Sequence, residues 1–77
     1  MVDSLLATMN TLLLEILEDP ADFYYIQPKH VVRCWVSDNR LFIKEPTNAN
    51  PLSLKLKPNM EVASKSVCEL IQHIGSL

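Results

Sequence analysis

Seven side chains, Arg33, Trp35, Arg40, Phe42, Lys44, Lys55 and Lys57, have types and spacings that could act together, and their chemistry is recognition. Each alternates with an apolar or small neighbour along a run of β-type composition, so a common surface needs only a sheet. Guanidinium and ammonium groups suit carboxylates or phosphates, while an indole and a phenyl ring offer flat apolar area that excludes water. Catalytic sets are a different matter. The chain has no GxSxG, no glycine-rich phosphate loop, no HExxH and no paired His/Cys cluster. No enzymatic activity, cofactor or metal is therefore expected. His30 falls at a strand start and His73 on a polar helix face, both ordinary surface positions, and Asp19 and Asp22 are accounted for by helix capping.

Cys34 and Cys68 are far apart in the chain, without CxxC or Cys/His ligand spacing. Cys34 falls among core positions as a small hydrophobe, and Cys68 lies at the edge of an apolar helix arc beside Glu69, whose charge disfavours a thiolate. Free thiols in a reducing, intracellular and cytoplasmic setting are the expectation. One internal disulfide also fits the even count.

The elements that must position the seven residues follow from periodicity. His30 to Ser37 and Arg40 to Lys44 are β-branched, aromatic and alternating, with Asp38-Asn39 between them as a two-residue turn whose residues tolerate positive φ. That turn pairs Ser37 with Arg40, Val36 with Leu41, Trp35 with Phe42, Cys34 with Ile43 and Arg33 with Lys44. Past the polar loop Pro46 to Pro51, Leu52 to Lys57 alternates without exception as a third strand. One sheet face then carries Val32, Cys34, Val36, Leu41, Ile43, Leu52, Leu54 and Leu56. The other carries Arg33, Trp35, Arg40, Phe42, Lys44, Ser53, Lys55 and Lys57, which is five of the seven Lys and Arg residues in the chain.

Two helices supply the second layer. From Ser4 to Glu18, the residues Leu5, Leu6, Met9, Leu12, Leu13, Ile16 and Leu17 share an arc of about 140°, with Asp3 or Ser4 as cap and Pro20 ending the pattern. Leu14 and Ala7 point off that arc. Asp19-Pro20-Ala21-Asp22 can start a short helical turn through Phe23, Tyr24 and Tyr25, which Pro28 ends. The last helix is expected from an Asn59 cap to a Gly75 stop, with Met60, Ala63, Val67, Leu70, Ile71 and Ile74 in an arc of about 120°. The fold class is α+β, a two-layer α-β-β-β-α domain with an antiparallel three-stranded sheet and both helices on one face.

Length and charge bound what such a domain can do. Seventy-seven residues form one small domain, here 1–77, either a small subunit or a module of a larger protein. A chain of this length buries only about 60% of its unfolded surface. With 48% hydrophobic residues, and one Gly against five Pro, it is neither a linker nor a disordered tail. The net charge of −2 argues against coating nucleic acid or an anionic membrane through bulk charge. The apolar stretch Leu5 to Leu17 is too short and too polar to span a bilayer, and it follows Asp3 where a secretion signal has basic residues, so no membrane insertion is expected.

Two large aromatics left in water would forgo several kcal/mol, at about 25 cal/mol per Å². A domain of this size has a total stability of only about 4–11 kcal/mol. The aromatic face is therefore expected to be used by a partner, or covered by Phe23 to Ile26. The order of elements, two helices behind a three-stranded sheet with a basic free face, resembles the small Alu-domain proteins of the signal recognition particle, which implies RNA on the sheet. Leu52-Ser53-Leu54-Lys55 followed by a helix from Asn59 is similar to the end of the platform subdomain of clathrin-adaptor appendages, which implies short peptide motifs on an aromatic and basic surface. The expected function is a protein–protein interaction module that docks an acidic, aromatic-containing segment. RNA binding on the same face is the alternative, and a homodimer through it is a third arrangement the sequence permits.

Overall fold

The apolar positions of the first segment recur at helical spacing, and in the computed structural model they form helix α1 (Val2–Ile16). The structure describes residues 2–21 and 26–77. Met9, Leu13, Ile16 and Leu17 are buried, with Leu5, Leu6 and Leu12 packed against them, while Leu14 is exposed. The helix begins before the expected caps, so Asp3 sits in its first turn, where a carboxylate complements the helix dipole. Beyond it, the Ala21 N–H donates to the Asp19 carboxylate at 3.1 Å, in keeping with Asp19 as a cap. The helical turn expected through Phe23, Tyr24 and Tyr25 lies outside the described residues.

Strands β1 (Arg33–Ser37), β2 (Arg40–Lys44) and β3 (Leu52–Lys55) form an antiparallel sheet in that order. The hairpin register is the expected one in all five pairs, from Arg33 with Lys44 to Ser37 with Arg40. Its turn residues Asp38 and Asn39 have φ of 52° and 59°. Positive φ at both central positions is the turn that matches strand twist, and Asp and Asn tolerate it better than other non-glycine residues. β1 starts three residues later than the alternation predicts. Pro28 fixes the φ that opens a single 3-10 turn (Pro28–His30), closed by His30 N–H to Gln27 O and Val31 N–H to Pro28 O. Val32, expected on the core face, therefore precedes the strand and is 63% exposed.

The third strand also ends early, at Lys55, where its outer edge meets the end of α1. Leu17 and Leu56 form an antiparallel bridge, the Glu18 N–H donates to Lys55 O at 3.0 Å, and the Lys57 N–H donates to Ile16 O at 2.8 Å. Part of the β3 edge is thereby satisfied, where it would otherwise offer unpaired backbone groups. Neither the bridge nor the two bonds are expected from the alternation of either segment.

Helix α2 (Glu61–Gly75) closes the second layer. Asn59 is not its cap: it lies at φ 64° in the preceding turn, and Met60 occupies the cap position with no side-chain hydrogen bond. The buried face is Ser64, Val67, Cys68, Ile71 and Ile74, which is rotated from the expected arc. Ala63 is exposed and Ser64 is fully buried. A serine can occupy that place because its hydroxyl donates to Met60 O at 2.6 Å, leaving no buried donor unpaired. Gly75 is the last helical residue and not a stop after it. A methyl group there would collide with the Pro28 carbonyl, so the glycine permits a close approach.

One apolar cluster joins these elements, with Leu41, Ile43, Leu54 and Leu56 of the sheet side meeting Leu13, Leu17, Val67 and Ile71 of the helices. Asn39 ties the hairpin turn to this frame. Its N–H donates to Glu61 Oε1 at 3.0 Å, its side-chain amide donates to Leu56 O at 2.9 Å, and its carbonyl accepts from the Leu56 N–H at 3.0 Å.

Candidate functional site

Period-two alternation and the observed register sort the face opposite the helices into rows. Arg33 pairs with Lys44, Trp35 with Phe42 and Phe42 in turn with Ser53, and Arg40 pairs with both Ser37 and Lys55. In the middle row the Trp35 and Phe42 rings stack, with centroids 5.3 Å apart and planes 10° apart. The Arg33 guanidinium lies 4.9 Å from the centre of the Trp35 ring system, a cation–π geometry. Arg33, Trp35 and Phe42 therefore form one continuous unit. Both aromatic residues are half-buried, since each ring covers part of the other, and the cost of leaving them uncovered is smaller than their full areas imply.

The remaining basic residues surround this unit with different degrees of freedom. Arg40 Nη1 donates to Ser53 Oγ at 3.2 Å, which holds its guanidinium over β3. The Lys44 ammonium donates to the Asn48 carbonyl in the β2–β3 loop. Lys55 pairs with Glu18 at 3.2 Å, with both side chains more than half exposed. Such a pair is worth at most about 1 kcal/mol and opens readily to a competing ligand. Lys57 lies past the end of β3, four residues from Ser53, or about 13 Å along an extended chain. It is not brought to the aromatic pair.

Glu18 is the residue that sequence reasoning missed here. Helical periodicity places it on the polar side of the first helix, but the helix ends before it and the chain turns along β3. No local pattern signals a backbone pairing between segments so far apart in sequence. The cover expected from Phe23 to Ile26 is described only at its last residue: Ile26 is buried on the helical side, in a cleft with Leu6, Pro28 and Ile74, and the other three residues lie outside the described ones. Among the described residues both helices pack against the opposite sheet face, through the shared core.

Among the described residues no group of three or more His, Cys, Asp or Glu could hold a metal ion. No described helix is long and apolar enough to cross a membrane. No family model matches the chain, and neither a curated protein nor a solved structure matches it.

Proposed function

We propose that the chain is a non-enzymatic interaction module whose sheet face takes an acidic, aromatic-containing protein segment. The observation that supports this reading most directly is the stack of Arg33 on Trp35 on Phe42 in the middle of an antiparallel sheet. Aromatic residues and arginine dominate the energetics of protein interfaces, and here they are already ordered against one another, which lowers the entropy cost of docking. In this reading an aromatic side chain of the partner extends the stack. Its carboxylates meet Arg33 and Arg40, with Lys44 and Lys55 released from Asn48 and Glu18 to join them.

Trp35 is the single tryptophan of the chain, so its emission reports occupancy of the face without a label. The test is a titration with a tryptophan-free peptide of alternating Glu, Asp and Phe, set against an oligouridylate, each at several salt concentrations. The expected result is a saturable change in Trp35 emission with the peptide, weakened at least tenfold by Arg33→Glu, which corresponds to about 1.4 kcal/mol. Saturable quenching by the oligouridylate alone, falling log-linearly and steeply with salt, would transfer the face to single-stranded RNA. No response to either probe would remove the proposal.

A further inference from the structure

Cys34 on β1 and Cys68 on α2 are 34 residues apart in sequence, yet their sulfurs lie 2.8 Å apart. Both are free thiols and both are buried. Sulfurs packed as inert hydrophobes would rest at roughly 3.5–4 Å or more, as other nonbonded heavy atoms do. A bonded pair sits at about 2.05 Å, so less than about 1 Å of side-chain motion separates the two thiols from a disulfide. The backbone around them is held by a further link: Gln72 Nε2 donates to both Cys34 O and Cys68 O, at 3.5 and 3.4 Å. Gln72 therefore bridges strand and helix beside the two sulfurs.

We propose that Cys34 and Cys68 are an oxidation site, which hydrogen peroxide converts to an intramolecular disulfide joining β1 to α2 through the core. The peroxide is small enough to reach sulfurs that larger disulfide reagents cannot. The Cys68 sulfur attacks first, as thiolate, breaking the O–O bond to give a sulfenic acid and hydroxide. Cys34 then loses its proton and attacks the Cys68 sulfur; the S–S bond forms, the S–O bond breaks and the hydroxyl leaves as water. Two thiols give up two protons and two electrons, and one peroxide becomes two waters. The hydrogen bond between the thiols favours this order of attack. Cys34 donates to Cys68, which lowers the Cys68 pKa against the opposing effects of burial and the Glu69 charge. The same bond, with burial and the neighbouring charge on Cys68, holds Cys34 protonated.

The test treats the native protein with hydrogen peroxide, alkylates it under denaturing conditions and digests it with trypsin. Cys34 then lies in peptide 34–40 and Cys68 in peptide 66–77, each with one cysteine and no methionine, so methionine oxidation does not confuse the assignment. The expected product is peptide 34–40 linked to 66–77, at a yield independent of protein concentration, with a raised urea midpoint that dithiothreitol returns to its starting value. Two alkylated cysteines, separate sulfinic or sulfonic acids, or cross-linked dimers would each overturn the proposal. In Cys34→Ser, dimedone supplied in the denaturant that follows peroxide treatment should trap a sulfenic acid at Cys68. A Cys68 inert to peroxide in that variant would overturn its place as the first sulfur, while the wild-type digest independently decides the pairing.

Discussion

Trp35 and Phe42 are direct cross-strand partners, and their rings are within 10° of parallel. Neighbouring strands bring paired side chains close enough to touch, and two flat rings in that position lose less area to water together than apart. Alanine at both positions, analysed as a double-mutant cycle in urea unfolding followed by far-UV circular dichroism, should give a coupling energy of about 0.5–1.5 kcal/mol. Additive losses would mean that the rings are neighbours without energetic consequence.

The face should be separable from the fold. Trp35→Ala combined with Arg33→Glu is expected to leave a cooperatively folded protein, because neither side chain belongs to the apolar cluster between the layers. Its affinity for the acidic phenylalanine peptide should fall by about 2 kcal/mol or more, measured by calorimetry because the fluorophore is lost. Cys34, 6% exposed, should react with thiol reagents only slowly in the native wild type and in this variant. Rapid native labelling would contradict the register that turns Trp35 outward.

Leu13 and Leu54 are 0% and 3% exposed and come from opposite layers of the core. Alanine at either should cost roughly 2–5 kcal/mol, from lost burial and the cavity left behind. Leu14, next to Leu13 but 42% exposed, should cost under about 1 kcal/mol on replacement. Equal losses at Leu13 and Leu14 in urea denaturation would place a second buried surface on α1.

At most helix positions Gly→Ala is favourable by up to about 1 kcal/mol. Gly75→Ala should reverse that sign, because the added methyl meets the Pro28 carbonyl, which belongs to a turn and cannot swing aside as a flexible side chain would. A melting temperature below wild type is the expected outcome. A rise would show that the Pro28–His30 turn yields at little cost.

The sheet was legible in the sequence because its rule is local and strict. Period-two alternation and a two-residue turn fixed all five hairpin pairs, and with them the neighbours Arg33, Trp35 and Phe42. Where tertiary contacts chose between local options, the reading failed. Asn59 suits both a helix cap and a left-handed turn residue, and the chain uses the second. Ser64 and Ala63 differ little in size, and a hydroxyl bond to Met60 lets the serine be the buried one. The departure of Leu17 and Glu18 from α1 to the edge of β3 carries no periodic signal, so local pattern does not reveal the Lys55–Glu18 pair. Cys34 and Cys68 were each legible as apolar positions, but their contact depends on how α2 is rotated over β1.

The bonds that Asn39 makes bear on how the tip of the hairpin opens. In an isolated hairpin the Asn39 turn amide would exchange with solvent almost freely, because it has no hydrogen-bond partner within the turn. Here the Asn39 N–H is held by Glu61, at the start of α2, and its side chain and carbonyl by Leu56. Its deuterium uptake should therefore be slower than in an isolated hairpin and should rise in Glu61→Ala. The tip of the hairpin becomes a native probe of its own contact with the start of α2, readable at one amide while the rest of the protein stays folded.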